Sequence, residues 1–136
     1  MAVAYASCMI FVASLYHLPP RVLPAILGAE NGRNGMVRHN SNGTDDLGVM
    51  QVNTLWLGPI AQFTHATPQR VYRNLLTQPC YNISAAGAIM RLYLNESHGD
   101  LMRAVGNYHS HTIALNLAYQ QRVLGAARLL FQNGGH

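Results

Sequence analysis

Apolar residues recur at helical spacing along most of this chain. The pattern breaks once, over a polar stretch from Arg33 to Gly48 made largely of Asn, Ser, Gly, Thr and Asp. A face that is apolar every three to four residues packs helix on helix, whereas a cluster of turn-forming residues favours turns and short irregular strands. The expected fold class is therefore mainly α, a helical bundle-like globule with one inserted polar loop and short β region. The 136 residues contain no internal repeat and no linker, so 1–136 reads as a single domain, with 132–136 as a flexible tail.

Local signals place the helices. A first helix is expected from about Val3 to Tyr16, and Pro19-Pro20 then breaks the chain and starts a second that ends near Gly32. Thr67-Pro68 pairs a capping side chain with proline at the first helical position, and the helix it opens stops before Pro79. Ile83, Ala86, Met90 and Leu94 form a stripe that would pack centrally. A short helix follows Asp100, and a long one runs from about Thr112 to Phe131, with Ile113, Leu117, Leu124, Ala127 and Phe131 on one face.

Composition narrows the function. With 49% hydrophobic and 10% charged residues the chain can bury a real core and is not of disordered type. All nine basic residues are arginines scattered along the sequence, with no basic stripe interleaved with aromatics, so a nucleic-acid partner is not expected. Cys8 and Cys80 fit no metal-ligand spacing and read either as a disulfide or as two buried thiols. No pattern calls for a nucleotide, flavin or metal, and a cofactor-free monomer is the expectation. The apolar stretch from Ala2 to Leu15 lacks the positive start of a signal peptide and is too short to cross a bilayer, so no export signal is evident. Ala6-Ser7-Cys8 faintly resembles a lipoprotein site, but a buried first helix is the better reading.

Of the five acidic residues, Asp45, Glu96 and Asp100 lie in polar surroundings that suit a solvated charge. Glu30 does not. It continues the spacing of Leu23 and Leu27 on the apolar face of the second helix. Burial and the negative end of the helix dipole, just before an expected glycine cap at Gly32, should both disfavour its ionised form. A carboxylic acid still protonated near neutral pH is what glycoside cleavage requires. The plain alternatives are a carboxylate turned to solvent or paired with a nearby arginine such as Arg33.

The segments AILGAENGRN, residues 25–34, and NGTDDLGVMQVNTLW, residues 42–56, resemble the lytic transglycosylases of the lysozyme-like superfamily, especially the small members associated with secretion systems and pili. The resemblance implies that Glu30 is the catalytic acid, with Asn31 where a serine is usual. It aligns Gly48, Val49, Met50 and Gln51 with the family's glycine, apolar, methionine, glutamine motif, and Asn53 extends the match. Close approach of a sugar at the glycine, an apolar floor from Met50, and paired donors and acceptors from Gln51 and Asn53 would suit an acetamido sugar. A third stretch, AVGNYHS at 104–110, implies that Tyr108 faces the glutamate. His109 and His111 depart from the family there. They read as solvated loop histidines, with a zinc site from the pair as the weaker alternative. Cys8 and Cys80 match the family's paired cysteines, and the stretch that begins at Cys80 matches its central helix.

The implied function is cleavage of the β-1,4 bond between N-acetylmuramic acid and N-acetylglucosamine in peptidoglycan strands, leaving 1,6-anhydro ends, in a periplasmic or exported location, with a secretion or pilus machine as the partner that the resemblance suggests. GTDDLGVMQVN is also similar to the corresponding loop of animal C-type lysozymes. There the residue matching Asp46 is a second carboxylate, so a hydrolase is one alternative, with Asp46 otherwise bonding its own loop. A non-catalytic glycan-binding assembly factor is another.

Overall fold

A computed structural model describes residues 3–132. Among them are seven α-helices and three short strands: α1 (Ala6–Leu15), α2 (Val22–Glu30), β1 (Val37–His39), β2 (Asp45–Leu47), β3 (Val52–Asn53), α3 (Leu57–Thr64), α4 (Pro68–Thr77), α5 (Pro79–Glu96), α6 (Leu101–His109) and α7 (Ile113–Ala127). A 3-10 turn precedes α3 and a π-helical turn, Arg128–Gln132, follows α7. The class is mainly helical with a small sheet, as the sequence pattern requires. Of the tail expected over 132–136, Gln132 instead ends the π-helical turn, and 133–136 lie outside the described residues. No described helix is long and apolar enough to cross a membrane. Cys8 and Cys80 are disulfide-bonded.

The chain divides into two compact units, one formed by the residues up to Ala29 with those from Gly87 onward, the other by Glu30–Ala86. In the first, Met9, Val12, Leu23, Ile26, Met90 and Val105 are buried. Its α6 opens on Asp100, whose carboxylate accepts from the Arg103 amide at 3.1 Å, so this acid serves as an N-cap. The face expected of α7 is corrected: Ile113 and Leu117 are 73% and 54% exposed, while Asn116, Tyr119 and Val123 are buried. Asn116 turns inward because its amide is needed there. Nδ2 donates to Asn107 Oδ1 at 2.8 Å and to the Ser110 carbonyl at 3.1 Å, closing the α6–α7 turn.

In the second unit the strands form an antiparallel sheet in the order β1-β2-β3. Val37 pairs with Leu47 and Leu47 with Val52, and Leu47 and Val52 are fully buried, so that face of the sheet joins the core. Side chains alternate across a strand, so the next row, Arg38, Asp46 and Asn53, lies on the opposite face. α4 opens as its sequence demands, with Thr67 Oγ1 accepting from the Arg70 amide at 3.2 Å and proline in the first turn. Ile83 and Ala86, on the stripe read from the sequence, are both fully buried.

Candidate active site

Glu30 is the last residue of α2 and is only 8% exposed. The helix ends there because Asn31 adopts φ 53°, a left-handed conformation that asparagine tolerates better than most side chains. The cap is therefore Asn31 rather than Gly32. The glycine answers a different need: a Cβ on Gly32 would sit 2.5 Å from the Gly48 carbonyl oxygen and 2.4 Å from that of Val49. The chain two residues past the carboxyl thus lies against the backbone of the Gly48–Gln51 turn, which is how the first two motifs come together. Because both obstacles are backbone atoms, Gly32→Ala is expected to cost roughly 2 kcal/mol in a urea titration.

The arginine that reaches Glu30 is Arg38, not Arg33. Its Nη1 lies 4.0 Å from Glu30 Oε1, and its Nη2 donates to the Glu30 carbonyl oxygen at 3.4 Å. Burial and the helix end disfavour charge on the carboxyl, and the guanidinium favours it. Sequence reading missed Arg38. The signal was its position in register with Asp46, which becomes visible only once the strands are paired.

The Gly48–Gln51 turn is built around Asn82, a residue of α5 that is completely buried. Its Oδ1 accepts from the Met50 amide at 2.9 Å, and its Nδ2 donates to the carbonyls of Leu47 and Leu75, both at 2.8 Å. Gly48 has φ 71°, and a Cβ there would meet the Leu75 carbonyl oxygen at 2.4 Å and Asn82 Nδ2 at 2.5 Å. The close approach expected of a sugar at this glycine is made instead by the protein's own backbone and amide. Met50 is fully buried beneath the turn.

Gln51 also takes a left-handed φ of 53°. Its Nε2 donates to the Gly48 carbonyl at 2.8 Å, and its buried Oε1 has no partner among the described residues. A buried carbonyl oxygen left in this state costs about 1–3 kcal/mol unless something donates to it. Asn53 is less open than expected: Nδ2 donates to Asp46 Oδ1 and to Thr44 Oγ1, each at 3.0 Å, and Oδ1 accepts from the Leu55 amide at 2.9 Å. Asp46 is a residue of β2 whose carboxylate accepts from its β3 neighbour Asn53, within the same loop segment.

Residues 7–123 match the transglycosylase SLT domain. The chain belongs to that family. This transglycosylase SLT domain is also 26% identical over 110 residues to "Invasion protein IagB" of Salmonella typhimurium, covering 80% of this chain and 65% of that protein. It is 27% identical over 108 residues to "Protein IpgF" of Shigella flexneri, covering 79% of this chain and 67% of that one. The chain thus spans about two thirds of the length of these relatives.

Glu30, Asp46, Gly48, Met50, Gln51 and Asn53 all belong to the unit Glu30–Ala86 of the SLT domain. Tyr108 lies in the other unit, on α6, with its ring stacked on Tyr119 at 6.4 Å. The two histidines nearby are exposed, yet both are engaged. His109 stacks on Tyr119 at 5.1 Å, and His111 Nε2 lies 2.5 Å from Glu96 Oε1, an oxygen that also accepts from Asn107 Nδ2 at 3.1 Å. Glu96 is therefore part of a polar cluster rather than a lone solvated charge. Its effect shows on Tyr93, whose phenol is pushed up by burial and, secondarily, by the Glu96 charge. Asp45 is likewise paired, 2.7 Å from His39 Nδ1.

Proposed function

We propose that this chain is a single-domain peptidoglycan lytic transglycosylase with Glu30 as its acid and base. One observation carries the reading: a carboxyl group 8% exposed closes α2, and the backbone just after it lies against the Gly48–Gln51 turn. Glu30 gives its proton to the glycosidic oxygen between N-acetylmuramic acid and N-acetylglucosamine as the bond to the anomeric carbon breaks. The resulting carboxylate takes a proton from the muramic acid 6-hydroxyl as that oxygen closes the 1,6-anhydro ring. A nucleophile tethered within the substrate makes a second protein carboxylate unnecessary. Gln51 is assigned to the acetamido sugar by the resemblance. Tyr108 is assigned to the same substrate by the resemblance.

Membership in the SLT family supports peptidoglycan strands as substrate and a periplasmic or exported place of work. Service to a secretion or pilus assembly is implied by the resemblance, and one relative is named for invasion.

One observation favours a second reading, hydrolysis of the lysozyme type with Asp46. Asp46 shares a sheet face with Arg38, and the Arg38 guanidinium reaches Glu30. Digesting purified cell-wall sacculi in ¹⁸O-labelled water and weighing the released muropeptides tests both. Anhydro ends free of label are expected. Reducing ends carrying label would replace the transglycosylase by the hydrolase, and no release at all would remove the enzyme.

A further inference from the structure

We propose that Arg38 is a positioning residue for the Glu30 carboxyl, one that fixes its orientation and stabilises the carboxylate formed when the proton is given up. The inference rests on Glu30 being the acid. It goes beyond that reading by assigning a role to a residue outside the motifs that carry the family resemblance.

Two contacts define the arrangement. Nη2 of Arg38 donates to the backbone carbonyl of Glu30 at 3.4 Å, and Nη1 of the same guanidinium stands 4.0 Å from Oε1. The fork therefore ties the side chain of Glu30 to its own main chain, at a helix end whose last carbonyls lack partners within the helix. A cation there also opposes the negative end of the helix dipole. Arg38 is 43% exposed and Glu30 8%, so the carboxyl is shielded while the guanidinium keeps part of its hydration.

Arg38 is a cation set against Glu30 from β1. α2, from Val22 to Glu30, contains no other charged side chain. From β2, Asp46 lies in register with Arg38, and its Oδ1 is occupied by Asn53 Nδ2 at 3.0 Å.

The chemical consequence follows from charge balance. As the anomeric bond breaks, the Glu30 proton moves to the leaving oxygen, and a negative charge appears on a poorly hydrated carboxyl. Arg38 opposes the cost of that charge, and releases it again when the carboxylate accepts the proton of the 6-hydroxyl. A neutral side chain at position 38 leaves the carboxyl less well held and more prone to keep its proton.

The test compares Arg38→Met and Arg38→Lys with the unaltered protein on glycan strands over a pH series. For Arg38→Met, kcat is expected to fall about tenfold with KM little changed. The alkaline limb of the activity profile should move to higher pH, because the acid form now persists further, and Arg38→Lys should bring the limb back toward its original place. A second measurement needs no turnover: the carboxyl-carbon NMR titration of Glu30, assigned by its loss in Glu30→Gln, should also move to higher pH in Arg38→Met. A titration and a limb that both stay in place, with only thermal stability lowered, would overturn the proposal and leave Arg38 a structural cap. Cleavage that survives Glu30→Gln would instead overturn the acid assignment, and the NMR titration would still decide whether Arg38 acts on the carboxyl.

Discussion

Glu30→Gln is expected to lower the clearing of sacculi by about 10²–10⁴-fold while leaving the melting temperature close to that of the unaltered protein. Glutamine has the volume and shape of the acid, and the backbone carbonyl that accepts from Arg38 is untouched by the change. The substitution therefore removes the transferable proton and the charge that Arg38 faces, while keeping the side chain's shape. Pairing the turbidity assay with a circular-dichroism melt separates the two effects. Unreduced clearing would end the assignment of position 30, and clearing lost together with the melt would point to folding.

The second large effect is expected far from any bond that breaks. Asn82→Leu keeps the side chain's size but deprives the Met50 amide and the Leu47 and Leu75 carbonyls of their partner inside a fully buried site. At about 1–3 kcal/mol for each of the three stranded backbone groups, the loss should reach roughly 3–9 kcal/mol, a large share of the stability of an ordinary domain. A urea titration reads it directly as a lower midpoint. A midpoint within experimental error of the parent would show that the turn does not depend on Asn82. Cleavage should fall as well, because Gln51 belongs to the same turn and its Nε2 bond to the Gly48 carbonyl depends on that turn's shape.

Features set by neighbouring residues were legible in the sequence. Thr67-Pro68 and Asp100 start helices because their side chains cap amides only three positions away. Glu30 stood out because a charge had fallen into an apolar stripe. The inward face of α7 was not legible: in a helix with one charged residue and apolar side chains all round, periodicity gives no direction, and Ile113 and Leu117 face out while Asn116 turns in. Which residue would cap α2 also escaped, since asparagine and glycine can both adopt the required backbone. The choice was made by the carbonyls of Gly48 and Val49, which exclude any side chain at position 32.

Arg38 and Asn82 were hidden for the same reason. One acts through strand register and the other across more than thirty residues of chain, as the Met50 amide and Asn82 are 32 positions apart. Neither separation leaves a local pattern.

The row Arg38, Asp46 and Asn53 has a practical consequence for anyone who dissects this site. Each member touches or faces the next, and the first also grips Glu30, so altering one changes the environment in which the others are measured. Single substitutions along it will not sum. Thermodynamic cycles that delete neighbours singly and together are the appropriate design, and the departure from additivity, commonly about 0.5–3 kcal/mol between touching residues, is the quantity that maps the wiring.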